Sequence, residues 1–145
     1  MEYLKKLETL REKGYNCAQS VFMTFSEEFG IADETAAKLT SGLGGGMGRL
    51  GEACGALNGG AMILSLKFGC PDAADEETKE KIYSYINELG SEFEKENGGL
   101  RCSDIVGYDM RNPEQRIEAK EKGVFSEKCP KCMETAVKII EEMMK

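Results

Sequence analysis

At 145 residues, 41% of them hydrophobic, the chain is long enough to bury a core without a disulfide or metal holding it folded. Its balance is acidic, 19 Lys and Arg against 26 Asp and Glu for a net of -7, and no basic block exists to track phosphates, so nucleic acid is not an expected partner. Histidine is absent, which removes Ser-His-Asp and Cys-His catalysis, His-ligated zinc and His-ligated haem, while six cysteines put sulfur chemistry ahead of hydrolysis.

The first fourteen residues alternate charged and apolar positions with no apolar h-region and no small-residue cleavage site, unlike a signal peptide. The expected compartment is the cytosol, where thiols are kept reduced, so the cysteines are read as free, metal-bound or transiently oxidised. Residues 61–66 are the most apolar run, and Lys67 ends it far short of the roughly 20 residues of a membrane span.

Along the chain, periodicity predicts helix almost throughout. Leu4, Leu7 and Leu10 define a first helix over residues 3–13, stopped at Gly14. Asn16 is a predicted N-cap for a second, with Cys17 in its first turn and Val21, Phe22, Phe25 and Phe29 as its apolar stripe to Gly30. Asp33 and Glu34 open a third through Ala36, Ala37 and Leu39. The chain then enters a glycine run over residues 42–51. A fourth helix is predicted from near Glu52 through Ile63, Leu64 and Leu66 to Gly69, and Pro71 and Asp72 make the turn after it. Asp75 caps a fifth helix carrying Ile82, Tyr85, Ile86, Leu89 and Phe93, with Gly90 as its weak point, up to Gly98 and Gly99. Cys102, Ser103 and Asp104 fall in a connecting segment to Gly107. Asn112 and Pro113 start a short helix to Lys122, and the last helix is predicted to start around Cys129 and Pro130, with Met133, Val137, Ile140 and Met144 as its core face. No strand pattern and no repeat appears, so the expected fold is a single all-helical domain over residues 1–145, a bundle of about six to seven helices with a glycine-rich loop before a central helix.

Gly46, Gly48 and Gly51 satisfy GxGxxG, yet the run follows a helix where a dinucleotide fingerprint needs a strand, and Glu52 stands where a Walker loop needs Lys. The glycines signal instead that backbone approaches something closely. Gly51, Gly55 and Gly59 recur at spacing four, a ridge that suits close helix packing, a bound cofactor, or the approach of Cys54 to a partner thiol. Cys54 itself opens a helix after a flexible loop, where amide dipoles favour a thiolate; Arg49 would add to that effect and Glu52 oppose it. Cys129, Pro130, Lys131 and Cys132 form a CxxC, a redox or metal signal, here without the α/β context of thioredoxin.

The segment from Cys54 to Gly59, reading CGALNG within GLGGGMGRLGEACGALNGG, resembles the motif of the C_GCAxxG_C_C family, whose members are described as redox-active. The segments Asn16-Cys17-Ala18-Gln19, Cys102-Ser103-Asp104 with Gly107-Tyr108-Asp109, and Lys128-Cys129-Pro130 resemble its other cysteine segments, so the resemblance covers nearly the whole chain. It implies Cys17, Cys54, Cys102 and Cys129 as the functional cysteines, with Cys70 and Cys132 as extras.

Three functions stay open on the residues. In the first, a thiol-disulfide oxidoreductase, Cys54 attacks and one of Cys17, Cys102 or Cys129 resolves, with a redox partner protein or a small-molecule thiol as partner and no cofactor required. In the second, Cys17, Cys54, Cys102 and Cys129 ligate zinc or an iron-sulfur cluster, although they lack the close spacing of zinc ribbons and ferredoxins. In the third, a small-molecule or protein-binding module uses its cysteines structurally, with the eight methionines suited to an adaptable groove.

Overall fold

The computed structural model describes residues 2–145. Among them are eight α-helices and no strand: α1 (Glu2–Glu12), α2 (Cys17–Ser26), α3 (Asp33–Thr40), α4 (Gly55–Phe68), α5 (Glu76–Asn97), α6 (Cys102–Val106), α7 (Pro113–Glu121) and α8 (Val124–Met143). The all-α bundle expected from periodicity is therefore the observed architecture, with one helix more than expected, because the segment after Cys102 coils into α6. No helix of the described residues is long and apolar enough to cross a membrane.

The N-terminus of α2 is built as the sequence indicates. The Asn16 side chain accepts from the Gln19 amide while Gln19 returns a bond to the Asn16 amide, a reciprocal cap worth about 1 kcal/mol. A 3-10 turn over Glu27–Phe29 continues α2 to Gly30, whose left-handed backbone ends it. Asp75 and Asn112 cap α5 and α7 as predicted, and α5 runs unbroken through Gly90.

α2 is the centre of the bundle and packs against α1, α3, α4 and α8, while α5 closes over α4 and α8. Phe22, Phe25, Ile63, Leu64, Leu89, Phe93 and Ile140 are buried together, each contributing on the order of 2 kcal/mol by leaving water. The small residues of α4 decide how closely its neighbours come. A Cβ on Gly59 would lie 2.6 Å from the Ala18 carbonyl oxygen, and one on Gly55 would lie 3.2 Å from the Ala18 nitrogen and the Cys17 Cβ. On the other flank, a Cβ on Gly60 would meet Ile140 of α8 at 2.6 Å. Bare backbone thus lets α4 sit directly against α2 and α8, which brings the first residues of α2 and α4 together.

Two boundaries differ from expectation. α4 begins at Gly55, with Cys54 in the N-cap position, because the chain before it is held extended by pairing with residues near Arg101. α8 begins at Val124, well before Cys129. The punctuation there is Gly123 at φ 72, which ends α7 and starts α8 with no side-chain cap; Pro130 lies inside the helix, where its ring removes the amide that would bond the Ser126 carbonyl. Cys129 is therefore a mid-helix residue, and the expected helix start around Cys129 and Pro130 is corrected to Val124.

Candidate functional site

Five of the six cysteines converge at one end of the bundle. Cys17 is the first residue of α2, Cys54 caps α4, Cys102 is the first residue of α6, and Cys129 and Cys132 stand one turn apart on α8. Each thiol lies within electrostatic reach of others from different elements, and all six cysteines are unbridged. Cys70 is exposed in the turn between α4 and α5, where its sulfur accepts from the Asp72 amide at 3.4 Å, and it takes no part in the cluster.

A short antiparallel clamp holds two of these segments. The Cys54 amide donates to the Leu100 carbonyl at 2.8 Å, the Cys102 amide to the Glu52 carbonyl at 2.7 Å, and the Ser103 amide to the Gly51 carbonyl at 3.1 Å. Arg101 reinforces it from outside through an ion pair with Glu52 at 2.9 Å. Glu52 is thus engaged by a guanidinium, which holds its carboxyl below the usual carboxylate range.

The thiols act on one another most strongly as two pairs. In the outer one, Cys17 faces Cys129. The Cys129 thiol, followed by burial, pushes Cys17 well above the ordinary thiol value, whereas the Cys17 thiol, aided by the Arg11 guanidinium at the end of α1, lowers Cys129 against the opposing effects of burial and of Cys54. In the inner pair, the thiol of Cys132 and then the amides of Ala56 and Leu57 lower Cys54 despite its burial, and Cys132 is pushed far up, first by Cys54 and then by burial. Cys102 belongs to neither pair; burial, together with the neighbouring Cys54 and Cys129, pushes it up to about 12.

Access separates the two pairs. A pocket of about 620 Å³ opens between the glycine-rich loop and α8, and Cys17, Cys102 and Cys129 line it. Cys54 is only 6% exposed and Cys132 only 2%, behind that wall. The glycines on the pocket side are Gly42, Gly44, Gly45 and Gly48. Gly51, Gly55 and Gly59, singled out from sequence as candidate cofactor contacts, approach protein instead: a Cβ on Gly51 would run into the Ser103 side chain, and the other two abut α2. Arg49, expected to support Cys54, lines the pocket beside the outer pair.

Four of the five converging cysteines are thus those the family resemblance implies; Cys132 stands among its extras because none of the four family cysteine segments includes it. Once the CxxC lies inside a helix, three-residue spacing puts both sulfurs on one face. Arg11 carried no motif and was missed. Among the described residues, no three or more His, Cys, Asp or Glu side chains are arranged as ligands for a metal ion.

No curated protein and no solved structure matches the chain. A family model described as "Putative redox-active protein (C_GCAxxG_C_C)" matches residues 15–143, nearly the whole chain and every residue of the thiol cluster. The chain belongs to the C_GCAxxG_C_C family.

Proposed function

We propose that the protein carries out dithiol-disulfide exchange through Cys17 and Cys129 at the pocket, with Cys54 and Cys132 as a second dithiol behind them. The observation that carries this reading is the pairing itself: two thiols from separate helices stand within electrostatic reach of each other and both line one open pocket. In such a pair one sulfur is the better thiolate and the other a protonated donor, the division of labour that exchange needs. An incoming disulfide R–S–S–R′ is attacked by the Cys129 thiolate, giving a Cys129–S–S–R mixed disulfide and releasing R′S⁻. Cys17 then loses its proton, attacks the Cys129 sulfur, and releases RS⁻. The protein ends oxidised as a Cys17–Cys129 disulfide, and R–S–S–R′ ends reduced as two thiols after proton uptake.

Cys54 keeps the helix-amide environment that made it prominent in the sequence, but its burial makes it a follower in this scheme. The convergence of Cys54, Cys129 and Cys132 supports transfer of the oxidising equivalents inward: the Cys54 thiolate attacks the Cys129 sulfur of the outer disulfide and releases the Cys17 thiolate, and Cys132 then loses its proton, attacks the Cys54 sulfur and releases the Cys129 thiolate, leaving a Cys54–Cys132 disulfide.

The test is purification without oxygen, followed by thiol titration before and after mild oxidation, with metal analysis and a visible spectrum in parallel. The reading expects a colourless, metal-free protein that loses thiols reversibly in pairs, and a Cys129→Ser variant that fails to react at the pocket. Stoichiometric zinc with protected thiols, or a broad violet absorption, would overturn it in favour of thiolate ligation by Cys17, Cys54, Cys102 and Cys129.

A further inference from the structure

The pocket that holds the outer thiol pair has a charge character opposite to that of the chain as a whole. The protein carries 26 acidic residues against 19 basic ones, yet the residues lining this pocket include no Asp or Glu and one cation, Arg49. Arg49 forms no ion pair within 4.0 Å among the described residues, whereas Arg101 is occupied by both Glu52 and Asp104. Arg49 is also the one non-glycine described residue at positive φ, 70°, held in the glycine-rich loop. Beside it, the Gly44 and Gly45 amides, on the same wall, donate to no protein group among the described residues. Tyr15 and Phe125 add aromatic surface, and the volume of about 620 Å³ suits a small molecule.

On this basis, and resting on the exchange reading above, we propose that the substrate is a low-molecular-weight disulfide bearing an anionic group, which Arg49 and the free loop amides hold while its sulfur reaches Cys129. An unpaired guanidinium next to unused amides is a recognition surface for carboxylate or phosphate oxygens. Cys17 and Cys129 line the same pocket, so one part of the ligand is held by charge while another is presented for exchange. The exchange step is unchanged: the anionic disulfide is reduced to two thiols, and the Cys17–Cys129 dithiol supplies the two electrons.

The overall charge makes the inference sharp. A net charge of -7 with no local cation disfavours anionic substrates and favours cationic ones, so a preference for the anion requires a specific group. The experiment uses three alkyl disulfides that differ in charge, dithiodipropionate (anionic), bis(2-hydroxyethyl) disulfide (neutral) and cystamine (cationic), each variant being compared with the wild type on the same disulfide so that leaving-group differences cancel. Oxidation of the reduced full-length protein is followed by loss of titratable thiols, in the wild type and in Arg49→Gly, whose backbone suits the positive φ, and Arg49→Lys. The expected result is that the anionic-to-neutral rate ratio drops roughly tenfold in Arg49→Gly, that Arg49→Lys retains most of it, and that raising salt shrinks the wild-type ratio.

A ratio in Arg49→Gly within twofold of wild type would overturn the anion-binding inference while exchange itself stands. Failure of all three disulfides to oxidise Cys17 and Cys129 would instead remove the exchange reading, and the substrate class with it. Rapid reduction of a protein disulfide, such as that of insulin, with all three small disulfides slow and undiscriminated, would replace the small molecule by a protein partner.

Discussion

The Cys54 thiol at the N-terminus of α4 has the Cys132 thiol in the middle of α8 as its strongest partner. The two are assigned different roles by their surroundings: the Ala56 and Leu57 amides favour negative charge on Cys54, and nothing comparable serves Cys132. Replacing Cys132 with Ala removes the donor and leaves burial to act on Cys54. The expected outcome is a rise in the Cys54 pKa, read as a shift of ultraviolet thiolate absorbance to higher pH in a protein where the other cysteines are Ser. An unshifted titration would show that the helix amides alone hold the Cys54 thiolate.

At the pocket, Cys129 is lowered first by the Cys17 thiol and next by Arg11. Alkylation by iodoacetamide at neutral pH is therefore expected to mark Cys129 ahead of the other clustered cysteines, with Cys70 modified separately at the ordinary rate of an exposed thiol. Cys17→Ala deletes the donor, raises Cys129, and slows its labelling at pH 7 by roughly threefold to tenfold. Peptide mapping after a short exposure reads the site directly. Faster labelling of Cys129 in that variant would mean that Cys17 shields it sterically and supplies no electrostatic help.

The pH dependence of stability follows from the signs of the shifts. Cys17, Cys102 and Cys132 are raised in the folded protein, so their contribution is whole below the unfolded thiol value of about 8.5 and is lost as pH rises through the folded values, for Cys102 toward about 12. Cys54 and Cys129 are lowered and act oppositely: their contribution is whole above about 8.5 and is lost as pH falls through their folded values. Urea midpoints should therefore fall between about pH 8.5 and 11, and the slope should be shallower in Cys102→Ala, which has no proton to hold at that site. Equal slopes in the two proteins would contradict the placement of Cys102 in a desolvated, like-charged cluster.

Two glycines make opposite predictions about packing. In Gly59→Ala the new methyl group would meet the Ala18 carbonyl at 2.6 Å, backbone that cannot step aside by changing rotamer. Overpacking costs about 1–3 kcal/mol, and against backbone the upper part of that range, about 2–3 kcal/mol, applies; less the roughly 1 kcal/mol that Ala gains over Gly in a helix, a net loss of about 1–2 kcal/mol is expected. Gly90 in α5 has its nearest neighbour at 3.8 Å, the Leu100 side chain, and Gly90→Ala should stabilise by about 0.5–1 kcal/mol. Chemical denaturation of both variants checks the pair. A neutral Gly59→Ala would mean that α2 and α4 can separate without penalty.

Helices were legible wherever apolar periodicity coincided with a cap or a stop. Asn16, Asp75 and Asn112 cap α2, α5 and α7 as their side chains allow, and Gly30, Gly98 and Gly107 take the left-handed backbone that ends the segments before them. The exceptions have local causes. Pro130 reads as a helix start only if nothing upstream begins the helix, and Gly123 does begin it. Gly90 reads as a weak point, yet α5 has enough buried contact through Leu89 and Phe93 to carry a glycine.

The candidate site was legible as a set of residues more than as an arrangement. The motif around Cys54 and the segments around Cys17, Cys102 and Cys129 name the thiols, and the glycines at spacing four mark a close approach. What they approach is a tertiary fact: Gly55 and Gly59 take in the start of α2, and so place Cys17 beside Cys54. The partnerships of Cys17 with Cys129 and of Cys54 with Cys132 depend on the rotation of α8, which the position of its first turn sets.

The most direct test of the central claim is the disulfide connectivity of the mildly oxidised, full-length protein, mapped by mass spectrometry of peptides under conditions that block exchange. The account predicts Cys17–Cys129 as the first bridge and Cys54–Cys132 as the second, with Cys70 and Cys102 left as thiols. A first bridge between Cys129 and Cys132, or one that requires Cys102, would contradict it.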